Sequence, residues 1–313
     1  MESTMIENRR ALPEAPQGRI ATVGTFDGLH RGHVAVIDCL RREGRDAGLR
    51  PLLVTFSNHP LDIVAPERAP GSLCGADEKR RVALAAGIDC LIETFSPELC
   101  ALTARQWLER LRDDLMVRAL VVGYDNTFGC DGRSMIHSDY RELCRSLGLR
   151  YVEAPKVEGC SSSAVRRALA AGDVELAARI LGHPYRLAGE VVHGDALGRT
   201  IGVPTANLRP FDPRRIIPAD GVYAAVAHTD AAGDCAAVVN IGRRPTVAGS
   251  DDAPLRIEAH LIDVRMKHEI YGDTLTLDFL RRLRPERRFG SLEELKSRIA
   301  SDIAETKRLI NKV

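Results

Sequence analysis

Apolar residues fall into two rhythms along the chain. Up to about residue 181, short strand-like runs (20–23, 51–56, 90–95, 119–122 and 150–153) alternate with stretches where apolar side chains recur every three or four positions. The short runs predict buried strands. The recurrent stretches predict helices from about 34 to 48, 77 to 86, 103 to 115, 138 to 147 and 172 to 181. Within 103–115, Trp107, Leu108, Leu111 and Leu115 share one side. Strands alternating with helices imply a parallel sheet with right-handed crossovers.

After Gly182-His183-Pro184 the rhythm changes. Strand-like stretches at 187–192, 221–227, 236–241, 256–264 and 274–280 follow one another across Gly, Pro and Asp turns, with no long helix between them. That spacing predicts an antiparallel barrel. A closing amphipathic helix is expected over 291–310, with Leu292, Leu295, Ile299, Ile303 and Ile310 close to one face. The fold class is therefore α/β: an N-terminal Rossmann-like parallel sheet, then an antiparallel β-barrel domain with a C-terminal helix. The expected domains are 18–182 and 183–313.

Composition narrows the picture by exclusion. A chain of 313 residues is long enough for two domains with substantial cores, and its net charge of +1 implies no polyanion such as nucleic acid. The longest apolar runs are far short of a membrane span. Residues 1–17 mix Glu, Arg and Pro without the apolar core of a signal peptide. Eight cysteines with no C-x-x-C fit the reduced thiols of a cytoplasmic protein. No obligate protein partner is evident.

Chemistry concentrates where the first strand meets the first helix, at Gly24-Thr25-Phe26-Asp27-Gly28-Leu29-His30-Arg31-Gly32-His33. A glycine-rich turn into a helix aims backbone N–H groups and the positive helix end at whatever lies in front, which suits phosphate. His30 and His33, three apart, can both face it. The spacing is neither a Rossmann nor a P-loop fingerprint. Three other unusual stretches end strands at the same edge of the expected sheet: 57–60 with His59, 123–129 with Asp125, and 160–166 with Arg166. In parallel sheets ligands bind beyond the carboxyl ends of the strands. Each stretch alone has a plainer reading as a strand end, a turn or a helix cap.

The motif resembles the G-x-F-D-G-x-H-x-G-H signature of the HxGH nucleotidyltransferases and, within them, the bacterial FAD synthetases. The stretch 55–60 is similar to the family's T-F-x-P-H-P, with Asn58 in place of a proline. The stretch 123–129 is similar to G-x-D-F-x-F-G, with Asn126 in place of an aromatic ring, a position where Phe is expected to be tolerated. The stretch 160–166 is similar to I-S-S-T-x-I-R. The resemblance implies that Gly24, Phe26, Asp27, Gly28, Gly32, Phe56, His59, Asp125, Phe128, Ser162 and Ser163 bind nucleotide and flavin, and that His30, His33 and Arg166 are catalytic.

In the second half, a turn containing Gly194 and Gly198 could approach phosphates, and Thr205 and Asn207 offer hard oxygen donors suited to Mg²⁺. Alternation puts Arg256, Glu258 and His260 on one strand face. Pro204-Thr205-Ala206-Asn207 resembles the P-T-A-N motif of riboflavin kinases, in which the position of Glu258 is the general base. Over roughly residues 20 to 305 the chain thus resembles bacterial bifunctional riboflavin kinase/FAD synthetases. The resemblance implies ATP-dependent phosphorylation of riboflavin to FMN, then adenylylation of FMN by a second ATP to FAD with loss of pyrophosphate. Alternatives are a nucleotidyltransferase for another phosphate acceptor and a catalytically silent flavin-binding regulator.

Overall fold

The computed structural model describes residues 12–124, 126–194, 202–243, 255–264, 270–287 and 289–311. It divides into two compact units, Met1–Ser162 and Ser163–Val313.

The first unit is built on five parallel strands, β1 (Arg19–Val23), β2 (Arg50–Phe56), β3 (Asp89–Glu93), β4 (Val117–Val122) and β5 (Arg150–Glu153), ordered β3-β2-β1-β4-β5. All five lie where the strand-like runs place them. Helices cover both faces, which is why β1, β2 and β4 read as continuous apolar runs rather than alternating ones. On one face Ile20 and Leu53 meet Val36, Ile37 and Leu40 of α1 (Arg31–Ala47). On the other, Ala21, Leu52 and Leu120 meet Trp107, Leu108 and Leu111. Those three belong to a later helix, Ala104–Asp114, which Thr103 and Gln106 close with a capping box. In chain order the helices between are α2 (Leu61–Val64), α3 (Ala76–Ala85) and α4 (Pro97–Cys100), so Ala104–Asp114 is α5; α6 (His137–Ser146) follows β4. The order of the strands reverses beside β1, so the carboxyl end of β1 is the topological switch point where such sheets bind ligands.

The second unit opens with α7 (Ser162–Ala170, its first residue still in the first unit) and α8 (Val174–Leu181). A closed barrel follows, ordered β10-β7-β6-β11-β8-β9. Its strands are β6 (Tyr185–Val192), β7 (Ala206–Pro210), β8 (Gly221–Thr229), β9 (Gly233–Arg243), β10 (Leu255–Leu261) and β11 (Thr274–Arg284). Tyr185, Tyr223 and Phe279 fill its interior, with Phe279 edge-on to Tyr223 at a centroid distance of 5.4 Å. The division at Ser162/Ser163 falls before the boundary expected at 183, because α8 and the end of α7 bond within the barrel unit. Arg281 Nε donates to Glu175 Oε1 at 3.1 Å, and the Ala219 N–H donates to Leu169 O at 3.0 Å.

The final helix, α9 (Leu292–Ile310), lies on β8 and β9, where Ile303 packs against Val222, Val238 and Ile262. Its buried face differs from the expected apolar stripe. Asp302 and Thr306 are fully buried while Leu292 is exposed. Asp302 can be buried because Arg284 and Arg298 pair with it, at 3.0 and 3.1 Å. No helix among the described residues is long and apolar enough to cross a membrane. All eight cysteines are free.

Candidate functional sites

The glycine-rich motif leaves β1 as a tightly wound turn. Phe26 and Leu29 take positive φ of 47° and 48° on either side of Gly28 at 82°. Two non-glycine residues in that region are a local strain that the surroundings must hold in place. Asp27 provides the hold: its Oδ1 accepts from the N–H groups of Leu73 and Cys74, at 2.9 and 3.1 Å, and its carbonyl accepts from Ser162 Oγ at 2.8 Å. Both Asp27 and Ser162 thereby fix the shape of the turn. Burial, with the Asp27 charge beside it, pushes the Cys74 thiol up to about 12. Its sulfur accepts the Gly28 N–H at 3.0 Å, and the Gly24 N–H goes to Val54 O at 3.1 Å. So these two backbone donors serve the fold rather than a ligand.

The helix start brings the two histidines together. His30 is the N-cap of α1, its Nδ1 accepting from the His33 N–H at 3.3 Å. The two imidazoles stack with centroids 3.7 Å apart and planes within 15°, and Phe26 lies against His33 at 5.0 Å. Burial, then the nearby His30 and Lys79, hold His33 well below the ordinary histidine pKa. It is therefore neutral at pH 7, with a buried Nδ1 that has no hydrogen-bond partner among the described residues. Such a pair of rings offers N–H donors to an incoming phosphate.

Beside the turn lies a cavity of about 440 Å³, lined by Gly24, Phe56, Phe95, Trp107, Asn126 and Phe128 among others. Its size and its aromatic walls suit a flat fused-ring ligand. Phe56 meets Phe95 edge-on at 5.2 Å. Phe128 is fixed by Tyr140, whose hydroxyl both accepts its N–H at 3.1 Å and donates to its carbonyl at 2.9 Å. His59 sits where β2 ends, its Nδ1 accepting from the Leu61 N–H at 3.1 Å. Asp125 lies outside the described residues. Ser163 and Arg166 lie on α7, in the second unit.

Two wall residues, Phe95 and Trp107, scan as ordinary core in the sequence. Lys79, only 6 % exposed and outside the wall, sends its ammonium group to the carbonyl of the wall residue Phe56 at 2.9 Å, and nothing in its local pattern marks it.

In the barrel, register builds a second site. Glu258 pairs with Asn207 of β7 on one side and Asn240 of β9 on the other. Directly opposed residues share a face, so Asn207, Glu258 and Asn240 form one row across three strands. Their neighbours Ala206, Ile257, Ala259, Val239 and Ile241 are buried within. The Glu258 side chain makes no hydrogen bond or ion pair among the described residues. Gly194 sits directly under the Asn207 amide, where a Cβ would meet Nδ2 at 2.1 Å. Only glycine allows that approach. His260, one turn of the alternation beyond Glu258, engages Pro204 O through Nδ1 at 2.8 Å and so anchors the segment carrying Thr205. Gly198 lies outside the described residues. No cluster of three or more His, Cys, Asp or Glu able to hold a metal occurs among the described residues. Thr205 and Asn207 are hard oxygen donors suited to a cation that takes its other ligands from phosphate and water.

Two family models match the chain, one described as FAD synthetase over residues 12–166 and one as riboflavin kinase over residues 181–310. Among similar curated proteins, a bifunctional riboflavin kinase/FMN adenylyltransferase of Escherichia coli (strain K12) is 40% identical over 309 residues, covering 95% of each chain. Its counterpart in Pseudomonas fluorescens is 38% identical, covering 94% of this chain and 93% of that one. The Bacillus subtilis (strain 168) protein is 32% identical, covering 95% and 94%. A solved structure described as a macrolide-efflux protein from Streptococcus pneumoniae matches with a TM-score of 0.84 at 28% identity, covering 96% of this chain and 97% of that one.

Proposed function

The chain belongs to the bifunctional riboflavin kinase/FMN adenylyltransferase family, and on that premise we propose how its residues divide the work. Two ATP-dependent reactions share one polypeptide: riboflavin is phosphorylated to FMN, and FMN is adenylylated to FAD. The observation that supports the division of residues is the coincidence of two separately built sites with the two matched segments. The stacked histidines and aromatic cavity lie within 12–166, and the Asn207–Glu258–Asn240 row lies within 181–310. The functional domains are assigned as 18–182 and 183–313 accordingly.

In the barrel, Glu258 takes the proton of the ribityl 5′-hydroxyl as that oxygen attacks the γ-phosphorus of ATP and ADP leaves. Among the described residues its side chain has no partner, which leaves it available as a base, and its seat between two asparagines orients it. Thr205 and Asn207 would hold Mg²⁺, which when bound neutralises charge on the phosphates. Gly194 lets Asn207 take that position.

In the sheet unit, an oxygen of the FMN phosphate attacks the α-phosphorus of ATP, and pyrophosphate leaves. The nucleophile is already ionised, so no base is needed, and catalysis is positioning and charge stabilisation. His30 and His33 donate to the phosphates, and Phe56, Phe95, Trp107 and Phe128 enclose the isoalloxazine ring. Arg166 is assigned to the phosphates from its motif alone. We place the enzyme in the cytoplasm, where eight free thiols stay reduced.

The direct test is to incubate the protein with riboflavin and MgATP and follow the flavins by chromatography. FMN is expected first and FAD after it. A protein that makes neither overturns the reading, and one that makes FAD only from supplied FMN overturns the kinase half.

A further inference from the structure

The polar row of the barrel continues past Asn240. β11 ends at Arg284, and two residues later Glu286 turns its carboxylate back over β9. Asn240 Nδ2 donates to Glu286 Oε1 at 3.4 Å, and both carboxylate oxygens press so close to Gly242 that a Cβ there would meet them at 2.3 Å. Asn240 and Gly242 are two apart on one strand, so they share the outer face that carries Glu258. Two carboxylates therefore adjoin one asparagine. Glu286 is exposed, and it makes no ion pair among the described residues.

Glu258 already has its part in the reaction; Glu286 has none. A second negative charge is unsuited to a triphosphate, which it would repel. It suits a neutral chain of hydroxyls. A carboxylate only accepts, every hydroxyl can donate, and bonds to a charged acceptor are the stronger kind. The adjoining asparagine adds a donor and an acceptor. Riboflavin presents such a chain, its secondary hydroxyls lying between the ring and the 5′-hydroxyl that Glu258 deprotonates.

On the kinase reading of the barrel, we propose that Glu286, seated over Gly242 and bonded to Asn240, recognises the secondary hydroxyls of the ribityl chain. It makes the site selective for a flavin carrying a polyol over one carrying a plain alkyl alcohol. Gly242 is required because any side chain would push the carboxylate away. Anchoring those hydroxyls beside Asn240 also brings the terminal hydroxyl up to Glu258, the next residue in the row.

The test compares riboflavin with a 10-(5-hydroxypentyl) flavin, which keeps the ring and the terminal hydroxyl but lacks the secondary ones. The full-length chain is used with MgATP, and thermal unfolding checks each variant. Wild type is expected to prefer riboflavin. Glu286→Gln should lower kcat/KM for riboflavin about ten- to a hundredfold, chiefly through KM, and leave the alkyl analogue within about twofold. Gly242→Ala, which displaces the carboxylate, should narrow the preference in the same way. Equal losses on both flavins would mean that Glu286 only holds the barrel end together, and would overturn the proposal. So would a wild type indifferent to the secondary hydroxyls. A wild type that phosphorylates neither flavin removes the kinase reading itself, an outcome distinct from both.

Discussion

At Asn126 the structure reverses an expectation. The resemblance leaves a ring missing there, and restoring Phe would seem to add a stacking surface for the flavin. The Asn126 amide instead donates to Val23 O, the buried end of β1, immediately before the glycine-rich turn. Its own N–H closes a turn onto Gly123 O at 3.1 Å. The side chain therefore fastens one cavity wall to the strand that leads into the histidine-bearing turn and helix. Stranding a buried carbonyl costs about 1–3 kcal/mol, whereas stacking on a ring returns roughly 0.5–1.5 kcal/mol. The loss is the larger of the two. Asn126→Phe is expected to lower the thermal midpoint and to raise KM for FMN several-fold, with riboflavin phosphorylation unchanged. Tighter FMN binding at unchanged stability would show that the bond to Val23 contributes nothing.

Between elements, charge placement sets a pH dependence confined to the barrel. His228 of β8 reaches Asp234 of β9 through Nδ1 at 2.7 Å and Asp278 of β11 through Nε2 at 3.0 Å. Arg186 of β6 holds the same Asp278 with two bonds, at 2.7 and 2.6 Å. Burial opposes the charge on His228, but its two carboxylate bonds outweigh burial and raise its pKa. A histidine raised above its unfolded value of about 6.5 adds stability that is complete below that value. The contribution is lost as pH rises through the folded value, because the neutral ring has one N–H for two carboxylates. Urea unfolding of wild type should weaken from pH 6 to pH 8 more than that of His228→Gln; parallel profiles would remove the cluster from the pH response. Elements like these were only partly legible in the sequence. β1, β2 and β4 announced themselves because both faces are apolar, and β3 and β5 by short apolar stretches between charged ends. β7 did not, because Ala206-Asn207-Leu208-Arg209-Pro210 is short, polar and ends in proline, yet it closes the barrel by pairing with β10 and β6. The motifs marked His30, His33, Thr205, Asn207 and Glu258. Phe95 and Trp107 stayed hidden, since a cavity wall exists only once the chain has folded, and so did Lys79, whose partner is a distant backbone carbonyl. The burial of Asp302 was equally unreadable, depending as it does on Arg284, which arrives from a different element.

For the whole molecule, the two reactions differ in one chemical respect, and that difference predicts how damage separates. Riboflavin presents a neutral hydroxyl that must lose a proton as it attacks, so the barrel needs a base. FMN presents an anion and needs none, so the sheet unit needs only donors and a binding wall. Glu258→Gln keeps the size of the side chain and one acceptor oxygen but cannot take a proton. It should slow FMN formation by about 10²–10⁴-fold and leave conversion of supplied FMN to FAD near the wild-type rate. Replacing His30 and His33 together by Ala should do the reverse, abolishing FAD formation while riboflavin is still phosphorylated. Both half-reactions are to be measured on the same preparations, with FMN supplied for the second, so that a failure upstream cannot pass for one downstream. Opposite losses in the two variants would mean that each catalytic set acts within its own reaction. Equal losses in either variant would mean that the residue supports the fold or that the two reactions are coupled. An undamaged kinase in Glu258→Gln would place the base elsewhere, with His260, the next side chain on that strand face, as the first candidate.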